Sequence, residues 1–406
     1  MKTIKGGVTA AKGYQAASAE AGIKYKGRTD MALVYTERPA VCAGTFTTNV
    51  VKAAPVWWDK ELVEKGNPVH AVVLNSGIAN AATGEKGKEL NFFMAESVAK
   101  QLGVKTEEVL TASTGVIGMQ LSETPLLNGA KLLKETLTDT ISAGTGAAEA
   151  IMTTDTVSKE VAVQFDVEGI TVTVGGMSKG SGMIHPNMAT MLSVTTTDAF
   201  VDKNDLQQLV SEIVADSFNM ISVDRDTSTN DTYLVLANGA SGVKIEKGTK
   251  AYDDFKQALM AVSVGLAKKM AADGEGATRL LEVEVVNCET KEKAKILSKS
   301  VITSNLVKAM IYGSDANCGR VLCALGYAGV DFNPEIIDLT LAVEEEKMLL
   351  VKNGVVLVID EEKATEMLKK DKVTLICDMK EGEASATAWG CDLTHEYVTI
   401  NGDYRS

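Results

Sequence analysis

Histidine is scarce in this 406-residue chain: there are three, His70, His185 and His395. A Ser-His-Asp hydrolase needs a histidine oriented by a carboxylate, and no G-x-S-x-G nucleophile elbow is expected in this chain. His70 borders an apolar run and reads as a packed residue, while His395 lies among polar neighbours and reads as a surface one. The six cysteines (Cys42, Cys288, Cys318, Cys323, Cys377, Cys391) contain no C-x-x-C pair, so zinc-site spacing is missing and no metal is expected. Scattered in this way they read as buried reduced thiols of a cytoplasmic protein. No apolar run approaches the roughly 18 residues of a membrane span, and the N-terminal MKTIKGGVTAAKGYQAA has charge without a signal-like apolar stretch. Positive charge is in deficit: 41 Lys and Arg stand against 54 Asp and Glu, a net charge of -13. Nucleic acid and anionic membranes need a basic face, so neither is expected as a partner.

What is present is an ordinary globular composition, 45% hydrophobic and 23% charged, without internal repeats or low-complexity linkers. Met31–Tyr35 and Val41–Asn49 read as strands, and Ala71–Asn75 as a strand buried on both faces. The small-residue run Asn75–Gly84 is either a plain connection or a place where backbone meets a ligand. Leu90, Phe93, Met94, Val98 and Leu102 have helical spacing, stopped by Gly103; Leu126, Leu127, Leu132, Leu133 and Leu137 suggest a helix over Pro125–Leu137. Val161, Val163 and Phe165 alternate into a Glu168-Gly169 turn and back through Ile170, Val172 and Val174, a hairpin.

Further on, Ser193–Asp198, Tyr233–Ala237 and Leu281–Cys288 read as strands, and Asp205–Asn219, Phe255–Met270 and Ile302–Tyr312 as helices. Strands over Val355–Ile359 and Val373–Cys377, with a helix over Glu362–Lys370 between them, suggest a βαβ-like unit in a C-terminal α/β subdomain that begins near residue 280. Two segments resemble ligand loops without completing the pattern. Val223–Thr232 lacks the glycine and glutamate of an EF-hand and reads as a solvated turn or the floor of a site. Gly313–Arg320 lacks the Gly-Lys-Ser/Thr end of a phosphate loop.

The stretch most suggestive of chemistry is Gly175–Leu192, GGMSKGSGMIHPNMATML. A threonine hydroxyl is a poor nucleophile unless a base lies beside it, and a free α-amine on the same residue can be that base. Such an amine titrates near pH ~7.7 to 8. Cutting the Ala189-Thr190 bond would give Thr190 both groups. The plainer reading is a flexible loop over 175–186 with Thr190 opening a strand. Elsewhere, Thr114-Gly115 sets a hydroxyl next to a backbone N–H, as an oxyanion hole requires, though S-T-G-x-x-G is by itself a turn. The hydroxyl run Ile151–Thr156 beside Asp155 suits the polar ends of an amino acid or a strand edge, and Glu275 lies between two glycines past a helix end.

Lys179 to Leu192 resembles the self-cleavage segment of the ornithine acetyltransferases, the arginine-biosynthetic glutamate N-acetyltransferases, and the similarity runs along the chain through the NSGxANAxTG-like and DGEGATR segments to the tail. The resemblance implies an α/β fold of the self-cleaving N-terminal-nucleophile type, layered αββα, plus the C-terminal α/β unit. It implies an alpha chain 1–189 and a beta chain 190–406, assembled as a heterotetramer of two of each. Thr190 would be the nucleophile, Thr114 and Gly115 the oxyanion hole, and Thr153 (or its neighbour Thr154), Lys179, Thr190, Glu275, Asn401 and Ser406 the substrate contacts. The implied reaction moves acetyl from N-acetylornithine to glutamate, releasing ornithine, with no cofactor and with acetyl-CoA as a further donor in some members. His185 is expected to shape the loop or assist the self-cleavage. Two other readings remain at this stage: an N-terminal-nucleophile aminopeptidase or amidohydrolase, and a non-catalytic amino-acid-binding protein.

Overall fold

The computed structural model describes residues 1–185 and 191–403, which fall into two compact units. The first comprises 1–180, 191–219 and 226–266; the second comprises 181–185, 220–225 and 267–403.

The first unit runs β1 (Lys2–Ile4), β2 (Tyr14–Ala19), β3 (Met31–Phe46), α1 (Ala54–Lys65), β4 (Val69–Asn75), α2 (Gly84–Leu102), β5 (Val109–Ser113), α3 (Glu123–Glu135), α4 (Ile141–Ala150), β6 (Lys159–Val167), β7 (Ile170–Lys179), β8 (Leu192–Thr197), β9 (Phe200–Val201) and α5 (Lys203–Ala215). After β10 (Ile221–Ser222) of the second unit, β11 (Thr232–Ala237) and β12 (Lys244–Ile245) belong to the first. Helix α6 (Lys250–Ala272) belongs to it as far as Leu266. Nine strands join in the order β1-β6-β7-β8-β11-β3-β4-β5, with β2 also on β3.

Period-two side-chain alternation turns this order into layers. Val72 and Leu74 of β4 share one core with Met177 of β7, Leu192 and Val194 of β8, and Leu234 and Leu236 of β11. The odd residues Ala71 and Val73 face the other way, onto Leu90, Met94 and Val98 of α2 and Leu126 and Leu133 of α3. On the opposite side, Gly176 of β7 lies against Val262 and Leu266 of α6. The result is α2/α3, sheet, sheet, α6: the αββα arrangement. Met31–Tyr35 and Val41–Asn49, two strands in the sequence reading, are one strand, β3. It pairs with β2 and β4 over its first half and with β11 over its second, and its register shifts between Tyr35 and Ala40, where Pro39 cannot donate to a ladder.

In the second unit a seven-stranded mixed sheet has the order β10-β18-β13-β17-β14-β15-β16, comprising β13 (Leu280–Cys288), β14 (Asp338–Val343), β15 (Glu346–Lys352), β16 (Val355–Val356), β17 (Lys372–Asp378) and β18 (Ala384–Cys391) besides β10. Its helices are α7 (Lys291–Thr303), α8 (Asn305–Gly313), α9 (Cys318–Gly326), α10 (Glu361–Leu368) and α11 (His395–Gly402).

Several expectations change. Gly175–Lys179 is not loop but the buried end of β7, where Gly176 lets α6 pack closely on the strand and Gly175 does the same for the backbone of Gly7. Gly176-Met-Ser-Lys-Gly180 also spells G-x-S-x-G, yet Ser178 lies within a strand and is 1% exposed, not on a strand-to-helix elbow. The helix expected over Ile302–Tyr312 is two, because Ser304 is extended and its Oγ caps α8 at Val307 N. The expected βαβ unit does not form: β16 is two exposed residues at the sheet edge, joined to β15 through an Asn353-Gly354 turn with both φ positive, and β17 runs parallel to β13 instead. All six cysteines are free, but Cys323 is exposed. Helix α11 buries no residue. Among the described residues no helix is long and apolar enough to cross a membrane.

Helix α3 also corrects the sequence reading, since Leu127 and Leu132 are each 39% exposed while Leu126 and Leu133 are fully buried. Leu126→Ala is therefore expected to destabilise by ~2–5 kcal/mol, and Leu127→Ala to stay within about 0.5 kcal/mol of the parent. Urea unfolding midpoints check the pair.

Candidate active site

In the first unit, β4 and β5 run parallel, and the loops leaving their C-terminal ends clasp each other. Thr114 N donates to Asn75 O at 3.0 Å, Val116 N to Gly77 O at 3.1 Å and Ala79 N to Val116 O at 3.0 Å. Gly115 lies at the crossing with φ +131°, and a Cβ there would stand 2.2 Å from the carbonyl carbon of Gly77. Only glycine fits this approach. Asn230, buried just before β11, staples the crossing with its amide: Nδ2 donates to Ala79 O at 2.6 Å and Ser113 O at 2.7 Å.

Lys179, at the end of β7, reaches this place. Its Nζ donates to Thr153 Oγ1 at 2.7 Å and Thr114 Oγ1 at 3.4 Å, and pairs with Asp155 Oδ2 at 3.6 Å. Asp155 Oδ1 accepts from Lys159 Nζ and Gly180 N, both at 2.7 Å, and Oδ2 accepts from Thr153 N at 3.1 Å. The side chains of Asp155 and Lys159 are 0% exposed. Burial alone would raise the Asp155 pKa, but the ammonium groups of Lys179 and Lys159 outweigh it and hold the carboxyl well below the usual carboxylate range.

The second unit brings together Glu275 and Asn401. Glu275 follows α6, is 7% exposed, and is held by its own backbone N–H on Ser181 O at 2.9 Å. Its carboxylate lies against Gly182, where any Cβ would come within 2.2 Å, and accepts from Asn401 Nδ2 at 2.7 Å. Asp224 takes the backbone N–H groups of Met183 and Ile184 at 2.6 and 2.8 Å, fixing the chain just before His185. The His185 ring is half-buried with Nδ1 3.1 Å from Ser222 Oγ; burial first, then the charges of Lys299 and Arg225, lower its pKa to about 4, so the ring is neutral at pH 7.

Residues 15–406 match the family model described as the ArgJ family. The chain is 48% identical over 394 residues to arginine biosynthesis bifunctional protein ArgJ 1 of Clostridium acetobutylicum, covering 97% of this chain and 96% of that one. The chain belongs to the ArgJ family. Another ArgJ relative, the arginine biosynthesis bifunctional protein of Caldanaerobacter subterraneus subsp. tengcongensis, is 48% identical over 407 residues and matches 100% of both chains. Among solved structures, ornithine acetyltransferase complexed with ornithine from Mycobacterium tuberculosis is 43% identical with a TM-score of 0.43, covering 45% of this chain and 95% of that one.

Of the site residues expected from the sequence, the first unit of this ArgJ family member thus groups Thr114, Gly115, Thr153 and Lys179, and the second groups Glu275 and Asn401. Ala189, Thr190 and Ser406 lie outside the described residues. Sequence reading missed Lys159, Asn230 and Asp231. Lys159 opens a strand that reads as amphipathic, which hides its burial. Asn230 and Asp231 sit in the polar run 223–232, whose last four residues are buried.

Asp231 is 3% exposed, and no hydrogen bond of good geometry reaches either carboxyl oxygen among the described residues. Burial pushes its pKa well up, outweighing the nearby Met191 N–H, the Thr47 hydroxyl and the Lys179 charge. An acid that keeps its proton when folded and loses it above pH ~3.9 when unfolded makes stability fall as pH rises, by up to about 1.4 kcal/mol per pH unit. Asp231→Asn removes that slope: its melting temperature relative to the parent should climb as pH rises above about 4. A gap that stays constant with pH would show an ionised Asp231 in the fold.

Proposed function

We propose that this ArgJ family member is a glutamate N-acetyltransferase of arginine biosynthesis that moves the acetyl group of N2-acetyl-L-ornithine to L-glutamate. The observation that carries the reading is identity of 48% over 97% of the chain to a protein named for that biosynthesis and called bifunctional. The aminopeptidase and non-catalytic readings have no comparable support.

The mechanism follows from the chemistry of the residues. The chain cuts itself between Ala189 and Thr190, and the freed α-amine of Thr190 takes the proton of its own Oγ as that oxygen attacks the acetyl carbonyl. Thr114 Oγ–H and Gly115 N–H stabilise the tetrahedral oxyanion. The amide C–N bond then breaks, and ornithine leaves with the proton on its nitrogen. Glutamate enters the same pocket, its α-amine attacks the acetyl-threonine ester, and Thr190 regains its hydroxyl proton.

Thr153, Lys179, Thr190, Glu275, Asn401 and Ser406 are the residues we assign to amino-acid binding, with the Glu275 carboxylate the electrostatic match for an ornithine ammonium. The convergence of Thr114, Thr153 and Lys179 within one unit supports this assignment. Acetyl-CoA serves as a second donor and is a substrate; the enzyme uses no cofactor. Fragments 1–189 and 190–406 stay together, two of each per assembly, in the cytoplasm.

Mass spectrometry of the purified protein before and after N-acetylornithine is expected to show these two fragments and then one acetyl group on the second. Thr190→Ala should leave the chain in one piece and lower transfer on the order of 10⁴-fold or more. An intact chain with full transfer activity, or hydrolysis of peptide amides without transfer to glutamate, contradicts the reading.

A further inference from the structure

A lysine ammonium has three protons to donate and no lone pair to accept with. Lys179 directs its ammonium at three oxygens: Thr153 Oγ1 at 2.7 Å, Thr114 Oγ1 at 3.4 Å and Asp155 Oδ2 at 3.6 Å. Both threonine oxygens are therefore acceptors in these contacts, and each hydroxyl must send its own proton elsewhere. An isolated threonine hydroxyl rotates to suit its surroundings, which is a poor property in a group meant to meet developing negative charge. A donor contributes most to catalysis when it is aimed before the reaction starts. Donation from an ammonium both restricts the rotation and polarises the O–H bond.

The lysine is in turn fixed by Asp155, whose second oxygen is occupied by Lys159 Nζ and Gly180 N at 2.7 Å each, and whose position is tied to the Thr153 backbone N–H at 3.1 Å. The network has one polarity: Lys179 and the two amides donate to Asp155 or to a hydroxyl oxygen, and Lys159 donates to Asp155 Oδ1 and to the Val157 carbonyl at 3.2 Å. The two hydroxyl protons are the ones left over.

We propose that Asp155, acting through Lys179, sets the direction of the Thr114 and Thr153 hydroxyls so that both present protons to the substrate, making Asp155 a positioning residue for the oxyanion hole. The pocket at this point takes acceptor oxygens, carbonyl or carboxylate, and disfavours donors. This rests on the reading above in which Thr114 stabilises the oxyanion.

A double-mutant cycle with the full chain tests it, using Thr114→Ala, Lys179→Met and the double variant, with Asp155→Asn, Thr114→Ser and the Arg variant of Lys179 alongside. Rates with N-acetylornithine and glutamate are normalised to the cleaved fraction on a denaturing gel. For a variant that stays uncut, the self-cleavage rate takes the place of kcat in the same cycle. Thr114→Ala is expected to lower kcat about 10²–10³-fold, and Thr114→Ser to recover most of it. Lys179→Met and Asp155→Asn should each lower kcat at least about 10-fold, with the donor KM moving less than kcat. Lys179→Met should cost less than about 2-fold once Thr114 is Ala, because residues that act as a unit are not additive. Lys179→Arg, which keeps donors only, should outperform Lys179→Met. If Lys179→Met costs the same factor in both backgrounds, or raises KM and leaves kcat intact, Asp155 and Lys179 do not act through Thr114 and the proposal falls alone. If Thr114→Ala leaves kcat unchanged, the oxyanion assignment itself fails and takes the proposal with it.

Discussion

The carboxylate of Asp155 is the contact on which this end of the first unit depends. Two lysines on neighbouring strands, Lys159 at the start of β6 and Lys179 at the end of β7, both point inward, and their side chains are almost wholly out of water. Two buried ammonium groups are untenable without a counter-charge, and removing one partner from such a cluster leaves the other charge uncompensated. Asp155 supplies that charge and also takes two backbone N–H groups, so the loop after α4 and the end of β7 are held to the same two oxygen atoms. The cluster costs solvation, and what it secures is a fixed arrangement of polar groups where an apolar core would have none.

Around this charge the geometry is set by crossings of backbone. The loops after β4 and β5 cross so closely that Gly115 has no room for a side chain, and Asn230 binds one carbonyl from each. Loops carry function most readily when a rigid scaffold fixes their ends, and here the scaffold is the double sheet whose layers share Val72, Leu74, Leu192, Val194, Leu234 and Leu236.

Much of this was legible in the chain itself. The run Ala71–Asn75 announces a strand covered on both faces, and the β6–β7 hairpin follows from strict alternation around Glu168-Gly169. Thr114, Gly115, Thr153 and Lys179 were legible because a long motif resemblance pointed at them. Asp155 was visible only as an acid among hydroxyls, since nothing local tells whether a carboxylate faces solvent or two lysines from another hairpin. Lys159 was hidden for the same reason: its burial comes from tertiary packing, and its sequence neighbours alternate as an exposed strand would. The exposed Leu127 and Leu132 show the reverse error, in which apolar spacing overstates the face a helix buries. The break at Ser304 was missed because apolar periodicity continued across it while a single cap decided the backbone.

Strand β8 has one neighbour from each side of the proposed cut: antiparallel β7, which precedes it in the chain, and parallel β11, which follows it. The ribosome must therefore have delivered the chain past residue 237 before β8 can be flanked on both edges. A cut made earlier would release a short strand with two open edges, an invitation to mispairing. In the proposed maturation this topology favours assembly of the sheet first and scission afterwards.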